Sequence, residues 1–212
     1  MKVFIDTYGC AKNEYDSQVL AASLTERGCT IVDDTREADI LILNTCGFIE
    51  DAKKESIGRI FELIGERGAS RKLIVTGCLS ERYHKELAEE IPEVDMFFGV
   101  NDYDEIPDII LSEAKEDADK SSDRVGCALD TLPYRKRVLD EDLTYAYLKI
   151  AEGCYNACSF CAIPGIRGKY RSKKMEDCVK EAEDLAAEGI KELILIAQDT
   201  SQYGRDLYGE IR

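Results

Sequence analysis

Between Gly153 and Cys161 the chain reads Gly-Cys-Tyr-Asn-Ala-Cys-Ser-Phe-Cys, which sets the thiols of Cys154, Cys158 and Cys161 in the spacing CxxxCxxC. A short loop with that spacing can turn three sulfurs toward one point. Three thiolates do not close a structural zinc site, which takes four ligands in a tetrahedron. They suit a cubane of four irons gripped at three corners, its fourth iron open to a small molecule. A zinc knuckle and three unrelated thiols are the other readings of this spacing. Residues 145–150, Tyr-Ala-Tyr-Leu-Lys-Ile, predict a strand. The loop therefore leaves a strand's carboxyl end, where α/β folds bind ligands.

A second trio is dispersed along the first half of the chain. Cys10 follows Thr7-Tyr8-Gly9, Cys46 follows Asn44-Thr45, and Cys78 follows Thr76-Gly77. Each stands at the carboxyl end of an expected strand, and they are spaced by roughly one βα unit. Strands of a parallel sheet point the same way, so three such cysteines crowd one edge. Neighbouring glycines permit tight turns and close approach there. Three buried structural thiols are the alternative.

Periodicity predicts the framework around these cysteines. Strands are expected at 3–7, 30–32, 39–44, 72–76 and 94–98. The continuous apolar runs at 39–44 and 72–76 mark a sheet covered on both faces. Helices are expected at 13–27, with Tyr15, Val19, Leu20 and Leu24 on one face and Gly28 as the stop, and at 49–67, with Ile57, Ile60, Phe61 and Ile64 in register. Two more are expected at 80–90 and 104–114. This βαβα order predicts a doubly wound parallel sheet over residues 1–111. Residues 112–142, opening on a charged run poor in apolar side chains, read as a linker. A second domain spans 143–212: the strand and cysteine loop, a basic run at 163–174, a helix at 176–188 with Val179, Ala182 and Leu185 inward, and a strand at 192–196 ending in Ala197-Gln198-Asp199-Thr200.

With 212 residues and 44% apolar side chains, the chain can bury a core. No apolar run approaches the ~20 residues of a membrane span. The first residues enter a strand without a signal-peptide pattern, so a cytosolic protein is expected. Nine cysteines in that compartment argue for metal or redox chemistry over a disulfide frame. The net charge of −15 disfavours nonspecific nucleic-acid binding and suits a basic partner or simple solubility. Cys29 and Cys178 read as buried thiols, Cys127 has no assignable role, and His84, on a charged helix, reads as a surface residue. No GxxxxGK follows the glycine turns, so a phosphate cradle is not expected.

The stretches TYGCAKNEYDSQ, NTCGFIEDAKKESI, LIVTGCLSERY, YLKIAEGC, CSFCAIPGIRGKYRS and ELILIAQDTSQYG together resemble the methylthiotransferases, which are radical S-adenosylmethionine (SAM) enzymes with an amino-terminal domain carrying a second iron–sulfur cluster. NTCGFIEDAKKES, GCLSERY and AQDTSQYG are similar to the branch that modifies an aspartate β-carbon in the twelfth small-subunit ribosomal protein. TYGCAKNEYDS is closer to the branch that modifies a tRNA adenosine, and Gln18 stands where both usually carry a glutamate. The longer matches favour the ribosomal-protein branch.

The resemblance implies that Cys154, Cys158 and Cys161 hold the 4Fe-4S cluster that binds SAM. Cleavage of SAM then yields a radical that takes hydrogen from an unactivated carbon. It implies that Cys10, Cys46 and Cys78 hold an auxiliary 4Fe-4S cluster supplying sulfur, and that the two clusters face one substrate carbon. Phe160 is expected against the SAM adenine, with Gln198 and Asp199 as further SAM contacts; strand-end capping is the other reading of the last two. Arg167, Lys169, Arg171, Lys173 and Lys174 are expected either to meet a carboxylate of SAM or a substrate or to form a solvated basic face. Residues 143–212 would be the first strands of a radical-SAM (β/α) barrel, truncated before its later strands and substrate-binding domain, so the chain alone is expected to be inactive. A monomer, away from membranes, served by an electron donor such as flavodoxin or ferredoxin, completes the expectation. A non-catalytic iron–sulfur electron-transfer module and a zinc-binding interaction domain are the competing classes.

Overall fold

A computed structural model describes residues 1–68, 70–103, 105–113, 125, 131–139, 143–156 and 158–211. The chain divides into two compact units, Met1–Cys127 and Ala128–Arg212. Cys127, most of the expected linker, and the ends Asp104 and Ala114 expected for the fourth helix lie outside the described residues.

In the first unit β1 (Lys2–Thr7), β2 (Thr30–Val32), β3 (Ile40–Thr45), β4 (Lys72–Gly77) and β5 (Met96–Phe97) form one sheet in the order β2-β1-β3-β4-β5. Every pairing is parallel. This order is one of the common doubly wound arrangements. Helices α1 (Ala11–Glu26), α2 (Glu50–Arg67), α3 (Cys78–Glu90) and α4 (Ile106–Glu113) complete the unit. The alternating faces of β3 explain why its sequence is apolar throughout. Ile40 and Ile42 pack with Leu20 and Leu24 of α1 and with Ile106 and Ile110 of α4. Leu41 and Leu43 pack with Ile60 and Leu63 of α2 and with Leu79 and Leu87 of α3.

Three expectations for this unit need correction. β5 pairs only over Met96 and Phe97, because it is an edge strand with two ladder positions against β4. Phe61 is exposed and lines an open groove between α2 and α3 with Tyr83 and Leu87, so the apolar stripe of α2 is narrower than its periodicity suggests. His84 is half-buried, its ring edge-on to Phe97.

In the second unit β6 (Tyr145–Lys149) pairs in parallel with β9 (Glu192–Ile196). Helix α6 (Met175–Ala187) covers β6: Leu185 packs with Ala146 and Ile190, and Cys178 with Leu148, Ile150 and Tyr203. Val179, expected inward, is exposed; Cys178 one residue earlier takes the inward position. A short antiparallel pair, β7 (Ala151–Glu152) with β8 (Arg171–Ser172), brackets the cysteine loop and α5 (Ile163–Arg167). A helical turn, α7 (Arg205–Tyr208), follows β9.

Candidate functional site

The register of the first sheet decides where the dispersed cysteines fall. Thr7 of β1 is level with Asn44 of β3, and Asn44 with Thr76 of β4. β1, β3 and β4 are adjacent, so Cys10, Cys46 and Cys78 leave neighbouring strand ends on one edge. Cys10 is the N-cap of α1, while Cys78 is already the first residue of α3; the helix begins directly at the thiol, not after a loop. Cys46 and Cys78 are buried and Cys10 is exposed.

Glycines let the three ends meet. Gly77 has φ +98°, and a Cβ there would lie 2.5 Å from the Thr45 carbonyl oxygen. Gly9 has φ +117°, and its Cβ would lie 2.7 Å from Cys46 Cβ and 3.2 Å from its sulfur. Both conformations and both approaches exclude larger residues. Polar side chains tie the same ends. Ser56 of α2 takes the Cys46 N–H at 3.1 Å and donates to the Cys46 carbonyl at 3.2 Å. Asn13 of α1 accepts from the thiols of Cys10 and Cys78 and donates to the Thr45 carbonyl. Neither Ser56 nor Asn13 stood out in the sequence. The signals were there, an Asn three residues after Cys10 and a Ser ten after Cys46, but only the fold gives them meaning.

The second loop rests on a buried ionic knot. Glu152 of β7, two residues before Cys154, accepts Lys149 Nζ at 2.8 Å and Arg167 Nη1 at 3.2 Å on one oxygen, and Gln198 Nε2 on the other. Burial alone would push the Glu152 carboxyl up, but Lys149, Arg167 and Gln198 hold it well below the usual carboxylate range. Arg167 and Lys173 are therefore not a solvated face: both are buried, Lys173 against Glu181, and Arg171 is buried with its guanidinium on the Arg167 carbonyl. Lys169 and Lys174 remain exposed.

Cys154 and Cys161 are half-buried and Cys158 is exposed. The Asn156 N–H points at Cys154 Sγ at 3.4 Å, and Cys161 N–H closes a turn on the Cys158 carbonyl at 3.0 Å. Phe160 is 91% exposed at the loop's tip. Asp199 caps the turn Thr200–Gln202 through Ser201 and accepts Asn156 Nδ2 at 3.0 Å, so it tethers the loop while capping the strand end. Gln198 keeps Oε1 buried with no partner among the described residues.

Among the described residues no three Cys, His, Asp or Glu side chains are close enough to hold a single metal ion. A lone zinc draws its thiolates to about 2.3 Å of one point. A cubane interposes iron and sulfide and holds thiolates further apart. Both places offer thiol donors alone, the ligand type that iron–sulfur clusters use.

Comparisons with known proteins agree with this arrangement. Residues 2–99 match the family described as "Uncharacterized protein family UPF0004", and residues 148–212 match the Radical SAM superfamily. The ribosomal protein uS12 methylthiotransferase RimO of Clostridium tetani is 48% identical over 99% of this chain and 47% of its own length. That of Thermoanaerobacter sp. (strain X514) is 53% identical over 97% of this chain and 47% of its own. The chain thus spans about half the length of the curated relatives it matches. Among solved structures, the radical SAM methyltransferase TsrM of Kitasatospora setae superposes with a TM-score of 0.68 at 15% identity, covering 94% of this chain and 48% of that one. The cobalamin-dependent SAM radical enzyme OxsB gives 0.59 at 15% identity, over 94% and 34%. These likenesses show the fold. In both of its parts, and over nearly its whole length, the chain is similar to the radical-SAM methylthiotransferases.

Proposed function

We propose that this chain is the cluster-bearing part of a methylthiotransferase that acts on the β-carbon of an aspartate in ribosomal protein uS12. The observation that carries the reading is the pairing of two thiol trios, one at the carboxyl ends of a parallel sheet and one on a loop that follows β6 and β7, in a chain whose relatives are named for that activity. Both relatives are named for the ribosomal protein and neither for tRNA, which favours the protein substrate.

Cys154, Cys158 and Cys161 would hold one 4Fe-4S cluster and Cys10, Cys46 and Cys78 the other. SAM bound at the first would supply a carbon-centred radical on one-electron reduction, and a second SAM would supply the methyl group. The chain's own contribution is placement. Phe160, exposed beside Cys161, offers a flat apolar face for an adenine. Gln198 offers a buried acceptor that lacks a donor, and an ammonium group would satisfy it. Asp199 steadies the loop through Asn156. Residues 1–111 and 143–212 act as the two cluster domains, joined by 112–142. A cytoplasmic monomer, served by a reducing partner of the flavodoxin or ferredoxin type, belongs to the same reading.

The test is an anaerobic assay of the full-length enzyme with uS12, SAM and a low-potential reductant. Mass spectrometry of uS12 is expected to show a methylthio group on one aspartate. Unmodified uS12, with a modified adenosine in tRNA supplied in parallel, would overturn the substrate assignment.

A further inference from the structure

Asn13 lies on the first turn of α1, three residues after Cys10, and is 0% exposed. Its Oδ1 accepts from the Cys10 thiol at 3.6 Å and the Cys78 thiol at 3.9 Å. Its Nδ2 donates to the carbonyl of Thr45, the residue before Cys46, at 2.8 Å and to Asn44 Oδ1 at 3.2 Å. Asn44 returns a hydrogen bond to the Asn13 carbonyl at 2.9 Å and another to Ser17 Oγ, itself bonded to Thr7 at the end of β1. One amide thus touches two of the three thiols and the strand end that presents the third. Its Nδ2 bonds to Thr45 and Asn44 fix the side chain, while the contacts to Oδ1 need thiol protons and become contacts with thiolates once the sulfurs bind iron.

We propose that Asn13 is the positioning residue of the Cys10–Cys46–Cys78 trio, gathering its three strand ends and setting a neutral dipole against the sulfurs of the cluster they hold. The inference rests on the reading of that trio as a cluster site. It assigns Asn13 two effects. The first is geometric and concerns how firmly iron is held, since groups behind metal ligands typically change affinity by about 10–100-fold. The second is electrostatic, because dipoles and charges beside cluster sulfurs set the reduction potential. A residue that only braced strand ends would have the first effect and not the second.

The test uses this chain with Cys154→Ala, Cys158→Ala and Cys161→Ala, so that iron reports on the first trio alone. The chain is reconstituted anaerobically with ferrous iron and sulfide. Asn13→Ala removes both ends of the amide. Asn13→Asp keeps its size and Oδ1 but puts a negative charge beside the thiolates and removes the donor to Thr45. Asn13→Ala is expected to lose iron to a chelator about tenfold faster or more. Asn13→Asp is expected to hold a cluster of more negative midpoint potential, with the far-ultraviolet dichroism of the metal-free chain unchanged. Should the alanine variant fail to fold, the aspartate variant decides. An unchanged potential in Asn13→Asp, whatever its iron retention, overturns the inference alone. A parent chain that takes up no iron overturns the cluster reading and the inference with it.

Discussion

Glu152 holds the second cysteine loop from beneath. Its carboxylate joins Lys149 of β6, Arg167 of α5 and Gln198 beyond β9, so three elements converge on the residue two places before Cys154. The knot adds little net stability, but breaking it is costly. A buried pair often does no better than apolar packing, yet removing one partner leaves the other charges uncompensated, at a cost of about 3–5 kcal/mol. Glu152→Gln keeps the shape and removes the charge that Lys149 and Arg167 share in a buried site. Urea unfolding of the metal-free variant is expected to show a loss of that size. A change under ~1 kcal/mol would mean that water reaches the knot and that it does not set the loop.

At the scale of elements, the close approach of β3 and β4 makes the first trio possible. Gly77 stands at φ +98° with the Thr45 carbonyl where a Cβ would go. Gly77→Ala combines a strained backbone, about 1–3 kcal/mol, with a collision against the strand end that carries Cys46. Iron analysis is expected to show the first trio empty while the second keeps its iron; full occupancy of both would show that β3 and β4 can part without loss.

A second tie fastens the segment before β6 to α6. Tyr134 donates to Asp184 Oδ2 at 2.6 Å, and burial together with the Asp184 charge pushes its hydroxyl up to about 12. The folded value lies above the unfolded value of about 10, so the contribution is complete below about pH 10 and lost as pH rises through the folded value. The stability difference between the parent and Tyr134→Phe is expected to shrink over that alkaline window in thermal unfolding curves. A difference that persists at the top of the window would place the hydroxyl outside the tie.

The sheet was legible in the sequence because β3 and β4 are buried on both faces and so are apolar throughout. The strand-end cysteines were legible because parallel strands share direction. Phe61 and Val179 misled because a helical stripe shows a face but not how far its cover extends. The bracket of β7 and β8 has two residues per strand, too few for any period. Asn13, Ser56 and Glu152 are ordinary polar residues until the fold gives them partners, and the basic run gave Arg167 and Lys173 two readings, a ligand's carboxylate or a solvated face, neither of which names Glu152 or Glu181.

For the molecule as a whole, the two units differ in how they gather sulfur. The first draws it from three neighbouring strands and the second from one loop, and neither trio includes a cysteine from the other unit. The excess negative charge of −15 over the whole chain favours encounter with a basic protein, and such steering weakens with salt. Binding of this chain to uS12 is accordingly expected to slow as ionic strength rises, by stopped-flow association rates, and an association rate indifferent to salt would remove charge from the account.

The separation of the trios makes a stricter demand. Replacing Cys10, Cys46 and Cys78 by alanine should remove about four irons per chain and leave about four, and replacing Cys154, Cys158 and Cys161 should do the same. SAM added to reconstituted full-length enzyme is expected to shift the electron paramagnetic resonance signal of the cluster left by the first set of replacements, because the loop of Cys154, Cys158 and Cys161 would offer SAM both an open iron and the nearby side chains of Phe160 and Gln198. It is expected to leave the signal of the other unchanged. If either triple replacement emptied both sites, the trios would share one metal centre and the division of labour between carrying sulfur and cleaving SAM would fail. If SAM shifted the signal of the cluster on Cys10, Cys46 and Cys78 instead, the doubly wound unit would be the one that binds the cofactor, and the roles assigned to the two trios would have to be exchanged.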